Sequence, residues 1–191
     1  KDFDNSYKQE ESNAFYHTNI IHDYITKPSL NVSEMNLQMG VNVNLPYTCN
    51  AYYDGSSINF YMAGGGCESS ALDAGVIYHE YGHGINRNLV EVEGVYWPYQ
   101  CETGNMNEGM ADYWACTIKN ESCSSYYYYG ECGRPCENIE KFPTNYNCEP
   151  HSGAQIISGS FWDLRKIYGA DYADKLAIDA LRLQPMSFSE L

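Results

Sequence analysis

Two histidines four residues apart, His79 and His83, bracket an acidic residue in the run YHEYGHGI. On a helix this spacing puts both imidazoles on one face, one turn apart. Two such nitrogens can share a zinc ion, with Glu80 beside it to carry a proton. A catalytic zinc takes three protein ligands and leaves a fourth position for water, so one ligand must come from elsewhere. The run NEGMADYWA, from Asn107 to Ala115, offers Glu108 and Asp112, again four apart. Two helices crossing face to face would bring Glu108 to the two histidines. Asp112 could then accept the second ring proton of one of them, as carboxylates behind metal-bound imidazoles do. Taken alone, the histidines read equally as polar residues of an ordinary helix, and Glu108 as a solvated acid. The two pairs together point to one zinc site.

With zinc bound, the chemistry follows from charge. The metal lowers the pKa of its water toward about 7 and polarises a carbonyl. Glu80 accepts the proton of the attacking water and passes it to the leaving amine. The developing oxyanion needs further donors, for which Tyr99 and His151 are candidates.

The elements that must position these residues can be read in outline. From Asn13 to Ile25 the aromatic and aliphatic residues Phe15, Tyr16, Ile20 and Tyr24 recur at helical spacing, after a polar lead-in over 1–10, and Lys27-Pro28 ends the run. Residues 36–45 alternate, with Leu37, Met39, Val41, Val43 and Leu45 on one side, as in a strand. Two β-rich runs then flank Asp54-Gly55, a hairpin turn signal. Residues 70–90 read as a helix carrying Leu72, Val76 and Ile85 with the histidines. Its glycines 75, 82 and 84 suit close approach of another backbone or a substrate. A connection over 91–106 leads to a helix at 107–119. Residues 122–150, with four cysteines and the run Tyr126 to Tyr129, have no period and read as a disulfide-pinned insertion. Helical spacing resumes at Gln155, with Gly169 as C-cap and Asp171 as the next N-cap, and a last helix carries Tyr172, Leu176, Ala180, Leu181 and Leu183 to Gln184-Pro185. Strands early and helices late make an α+β fold. The expected organisation is one catalytic domain over 1–191, with a strand-containing part at 1–70 and a helical part at 71–191.

Composition bounds the rest. The 191 residues carry a formal charge of −14, which argues against a nucleic-acid partner, because phosphate binding needs clustered cations. No apolar run reaches the roughly 20 residues of a membrane helix. An acidic chain can also hold calcium, but no DxDxDG-like run indicates it. Eight cysteines point to disulfides and an oxidising, extracellular compartment, with the polar start read as a processed mature form. Cys132 and Cys136 have metal-like spacing but lack a partner pair at finger spacing. Cys49–Cys67 would close the hairpin. Asn31 and Asn120 head glycosylation sequons.

YHEYGH with NEGMAD resembles the gluzincin metallopeptidases, a zincin-type fold whose third zinc ligand is a Glu on a second helix. The run YQCETGNMNEGMAD from Tyr99 to Asp112 is similar to the thermolysin pattern YQ-x-E-S-G-x-x-N-E-x-x-x-D. That resemblance implies oxyanion stabilisation by Tyr99 and a later His, with Asn107 and Asp112 behind the ligands. Asn50-Ala51-Tyr52-Tyr53 resembles the family's Asn-Ala-aromatic-aromatic edge strand, which implies substrate contacts at Asn50, Ala51 and Tyr53. NAFYHTNIIHDYI at 13–25 and HSGAQIISGSFWDLRKIYG at 151–169 resemble fungalysin-type relatives. His151 fits that second segment, whereas alignment through Ser158-Gly159 puts the thermolysin His at Gln155. The cysteine-rich segment has no counterpart in the resemblance. Such families continue with more helix past LRLQP, so further C-terminal helices are expected outside this chain. The implied function is a secreted zinc endopeptidase acting on peptides or proteins. An aminopeptidase would need a GxMEN-like loop, and none is present. The alternative from another class is a zincin-fold structural or adhesive protein without activity.

Overall fold

The computed structural model describes residues 9–91, 96–127 and 130–191. Residues 1–8, 92–95, 128 and 129 lie outside the described part, and with them most of the polar lead-in, part of the 91–106 connection and half of the tyrosine run.

Five α-helices and a small sheet make up the described residues: α1 (Gln9–Thr26), β1 (Gly40–Leu45), β2 (Ala51–Tyr53), β3 (Ser57–Tyr61), α2 (Ala74–Val90), α3 (Cys101–Lys119), α4 (Pro150–Tyr168) and α5 (Ala170–Arg182). The sheet order is β1-β3-β2, with β1 parallel and β2 antiparallel to β3. β2 is thus an edge strand. The β2–β3 turn is the one expected at Asp54-Gly55. Gly55 takes φ +100°, which a side chain would strain. Asp54 Oδ1 accepts hydrogen bonds from the backbone N–H of Ser56 (2.8 Å) and Ser57 (2.7 Å). The Cys49–Cys67 disulfide closes the hairpin's base.

α1 packs a different face from the one its aromatic spacing suggests. Ala14, Ile21 and Ile25 are fully buried, while Phe15 and Tyr16 stay more than half exposed. The helix seats small and aliphatic residues against α2, where bulky rings would hold it away. Only Tyr24 of the expected set reaches inward, where its hydroxyl donates to Asp174. That carboxylate is fully buried and also accepts from Tyr113 Oη (2.7 Å) and Thr117 Oγ1 (2.9 Å), so it ties α1, α3 and α5 together. α5 likewise buries Ala173, Ala177, Ile178 and Leu181 and leaves Tyr172 exposed. Its N-cap is Gly169, with Asp171 inside the first turn.

α2 begins where Asp73 caps it, accepting from the N–H of Gly75 (2.7 Å) and Val76 (3.2 Å). A short 3-10 turn, Ser70–Leu72, precedes it in place of the helical start expected at 70. α3 starts at Cys101, six residues before the expected 107. α2 and α3 cross closely because Gly82 has no side chain: a methyl group there would lie 2.9 Å from the Cα of Ala111. One apolar core runs through residues of all five helices and the sheet.

Among the described residues of 120–149 there is no helix or regular strand, as expected of a pinned insertion. Cys116–Cys136 holds it to the end of α3, Cys123–Cys132 closes a loop within it, and Cys101–Cys148 joins the starts of α3 and α4. All eight cysteines are paired, so Cys132 and Cys136 belong to disulfides rather than a metal site. The insertion also packs on α2: a methyl group at Gly75 would meet the carbonyl oxygen of Ser124 at 1.8 Å.

Candidate active site

α2 and α3 bring three metal-ligand side chains to one point. His79 Nε2 lies 3.1 Å from His83 Nε2 and 3.2 Å from Glu108 Oε2. His83 Nε2 lies 3.7 Å from Glu108 Oε1. Tetrahedral ligands about 2.1 Å from zinc sit about 3.4 Å apart, so the triangle has the size of one face of such a site. His79 and Glu108 are buried, and the side chain of His83 is 12% exposed.

The remaining ring nitrogens are held from behind. His79 Nδ1 is 2.9 Å from Asp112 Oδ1, and His83 Nδ1 is 3.1 Å from Asn107 Oδ1. Asn107 is itself fixed, accepting from Asn86 Nδ2 at its carbonyl (2.9 Å) and donating to Tyr96 Oη (3.0 Å). With His83 Nδ1 hydrogen-bonded to Asn107 Oδ1 and His79 Nδ1 facing the Asp112 carboxylate, both Nε2 lone pairs face the same point as the Glu108 oxygens. Lone pairs converging in this way call for a cation between them. Glu108 Oε2 reinforces the point: it is buried and accepts no hydrogen bond of good geometry. The donor set of two imidazoles and a carboxylate suits zinc, and the residues present therefore fit the metal. These three also form the metal-ligating group found among the described residues.

Electrostatics agree with a central positive charge. Burial opposes ionisation of Glu108, but His83, His79 and Arg134 outweigh it and hold the carboxyl well below its usual range. Burial and the Arg134 charge oppose a proton on His79, but Asp112 and Glu108 outweigh them and raise its pKa to about 10. A proton thus occupies the cluster where a metal cation would displace it. Glu80 lines the same cleft at 6% exposure, and burial pushes its carboxyl pKa up, against the pull of the two histidines.

The other expected residues also reach this cleft, whose volume is about 750 Å³. Tyr99, half exposed just before α3, donates its hydroxyl to Glu108 Oε1 at 2.6 Å. Burial, then the Glu108 charge, raises the pKa of that phenol, so it stays a donor. His151 stands in the first turn of α4, where Glu149 caps the helix through the N–H of Ser152 (2.6 Å). Its Nε2 is 3.5 Å from Glu108 Oε2, and its Nδ1 is 3.1 Å from Glu149 Oε1. His151 lines the cleft, and Gln155, one turn along, does not. Asn50, Ala51 and Tyr53 form the wall made by the β2 edge, with the Tyr53 ring packed over Gly84 of α2.

Arg134 is the residue that sequence reasoning missed. It comes from the cysteine-rich insertion, and its Nη2 lies 3.0 Å from Asp112 Oδ1 and 3.4 Å from His79 Nδ1. Its Nη1 lies 3.6 Å from Glu108 Oε2. The insertion therefore lines part of the cleft, through Ser124, Ser125, Gly133 and Arg134. The available signal was a lone cation inside Cys132-Gly-Arg-Pro-Cys136, in a chain with only 11 Lys and Arg. Tyr96, behind Asn107, lay in the aperiodic connection and carried no signal.

Comparison with known proteins bears on the same segment. Residues 54–133 match the family model for fungalysin metallopeptidase. That span holds His79, Glu80, His83 and Glu108. A solved structure described as the precursor of protealysin, a metalloproteinase from Serratia proteamaculans, is similar with a TM-score of 0.69 and 15% identity. The match covers 99% of this chain and 71% of that one. At that identity the likeness shows the fold, which is the α+β zincin type. No curated protein matches by sequence.

Proposed function

We propose that this chain, fungalysin-like over residues 54–133, is a secreted zinc-dependent endopeptidase. The observation that carries the reading is the convergence of His79, His83 and Glu108 with Glu80 in one cleft beside an edge strand. His79, His83 and Glu108 would hold the metal, with Asp112 and Asn107 orienting the rings. Zinc, when bound there, supplies a Lewis acid that polarises the scissile carbonyl and makes water acidic.

The chain's own residues do the rest. A peptide lies along β2, pairing its backbone with the strand near Asn50 and Ala51 while Tyr53 contacts a side chain. Glu80 takes a proton from water as the water oxygen bonds to the carbonyl carbon. Its raised pKa suits both halves of the transfer, because it must then release that proton to the leaving nitrogen as the C–N bond breaks. Tyr99 and His151 donate hydrogen bonds to the oxygen that gains charge. The part over 1–70 supplies the β2 wall, and the part over 71–191 supplies the site helices and the insertion's share of the lining. Four disulfides support an oxidising, extracellular setting, and no helix among the described residues is long and apolar enough to cross a membrane.

The test joins metal analysis to cleavage of an unfolded protein, with a chelator control. The expected result is about one zinc per chain and cleavage within the polypeptide that the chelator abolishes. Glu80→Ala should abolish cleavage and keep the zinc. Bound zinc without cleavage of any unfolded protein would sink the enzyme reading in favour of a structural or adhesive role.

A further inference from the structure

Next to the cleft, two exposed tyrosines, Tyr47 and Tyr52, flank a partly buried third, Tyr61, in an aromatic row that the proposed chemistry does not use. The rings of Tyr52 and Tyr61 are 6.0 Å apart and those of Tyr61 and Tyr47 are 5.2 Å apart. Tyr52, on the edge strand, lines the cleft; Tyr61 and Tyr47 lie outside its lining. Tyr52 pairs with Asn59 across the sheet, and Tyr61 follows two residues later on β3, so Tyr52 and Tyr61 share the sheet face opposite Ala51, Ile58 and Phe60, which are buried. Tyr47 is 64% exposed and Tyr52 41%.

The surface is preformed. The Leu45 carbonyl accepts from the N–H of Tyr47 (2.7 Å) and of Met62 (3.0 Å), which fixes the loop to the end of β3. The N–H of Tyr61 donates to Ser70 Oγ at 3.0 Å. The Cys49–Cys67 disulfide closes the intervening chain. Fixed rings with two side-chain torsions offer contact area at little entropic cost. Rings grouped in this way, rather than scattered singly, can offer a partner a contiguous apolar contact.

We infer that Tyr61 and Tyr47 are an extended substrate subsite that stacks an aromatic side chain of the peptide beyond the residues paired with β2. The occupant follows from continuity: Tyr52 belongs to both the cleft wall and the aromatic row, so a chain leaving the cleft along β2 passes onto it. The inference rests on the peptidase reading above. Offset or edge-to-face stacking is worth about 0.5–1.5 kcal/mol, or roughly 2- to 10-fold in affinity.

Binding is measured by fluorescence anisotropy with zinc-loaded Glu80→Gln protein, which separates binding from cleavage. Two labelled peptides share a central sequence; the long one adds four residues at each end, each extension carrying one Phe. The long peptide should bind more tightly than the short one. Tyr47→Ala should weaken the long peptide about 2- to 10-fold and leave the short one alone, and Tyr47→Phe should keep the long-peptide affinity. Tyr47 is exposed enough for these changes to spare the fold, and Tyr61→Ala gives a second reading of the same row. Equal effects on both peptides, no effect on either, or no binding of the long peptide would overturn the subsite. Cleavage of the short peptide by the unsubstituted protein reports separately on the peptidase reading.

Discussion

At the scale of single residues, the site's chemistry depends on a shared acceptor. Glu108 Oε1 receives the Tyr99 hydroxyl, while Oε2 sits by His79, Arg134 and His151. In the proposed mechanism Tyr99 turns from Glu108 to the oxygen that gains charge, so its hydroxyl counts most in the transition state. Tyr99→Phe should therefore lower kcat about 100-fold, on the scale of losing one oxyanion donor, and change KM little. Steady-state kinetics on one peptide decide this, and an unchanged kcat would remove Tyr99 from the reaction. His79, His83, Glu108 and Asp112 were legible because a helix turns spacing of four into a shared face. Arg134 was not, because its place over Asp112 is set by covalent links that no periodicity records.

At the scale of elements, α3 explains how those links work. Glu108, Asp112 and Cys116 follow at steps of four and so lie along one face of the helix. The Cys116–Cys136 disulfide returns the insertion down that face and sets Arg134 over the two carboxylates. Cys116→Ser with Cys136→Ser should free the segment and lower kcat/KM about 10- to 100-fold, the cost of a misplaced polar group, with zinc content unchanged. Adding Arg134→Ala to that pair should cost little more, since both changes remove the same placement. Additive losses in kcat/KM would show that disulfide and arginine act independently. The β2–β3 turn is held differently, by one carboxylate. Hydrogen bonds from Ser57 and Ser56 to Asp54 lower its pKa in the folded state. A depressed folded pKa gives stability that is present above the unfolded value of about 3.9 and is lost as pH falls toward and through the folded value. Asp54→Ala should thus lower Tm by a few degrees at pH 7, with the difference from the unsubstituted protein shrinking below about pH 3.9. A Tm difference independent of pH in thermal melts would show that the carboxylate charge is not what holds the turn.

For the whole molecule, class and layout were legible and the choice of buried face was not. Alternation and the Asp54-Gly55 signal marked the strands, and helical spacing marked the helices. The inward faces of α1 and α5 went to alanine, isoleucine and leucine instead of the aromatics, because close helix packing is a tertiary demand that local spacing does not express. Charge is the property that sequence gives without any folding argument, and it bears on function at this scale. A formal charge of −14 surrounds a site whose own acids are offset by Arg134 and, when bound, a divalent metal. The surrounding field then acts on approach rather than on the chemical step. A peptide flanked by lysines should show a higher kcat/KM than the same core flanked by glutamates at low salt. The gap should close as ionic strength rises past about 0.15 M, where the Debye length falls to about 8 Å. The two peptides should differ little in kcat throughout. A preference that persists at high salt would place the discrimination in contacts within the cleft, and a preference for the acidic peptide would show that Arg134 and the metal outweigh the molecule's net charge.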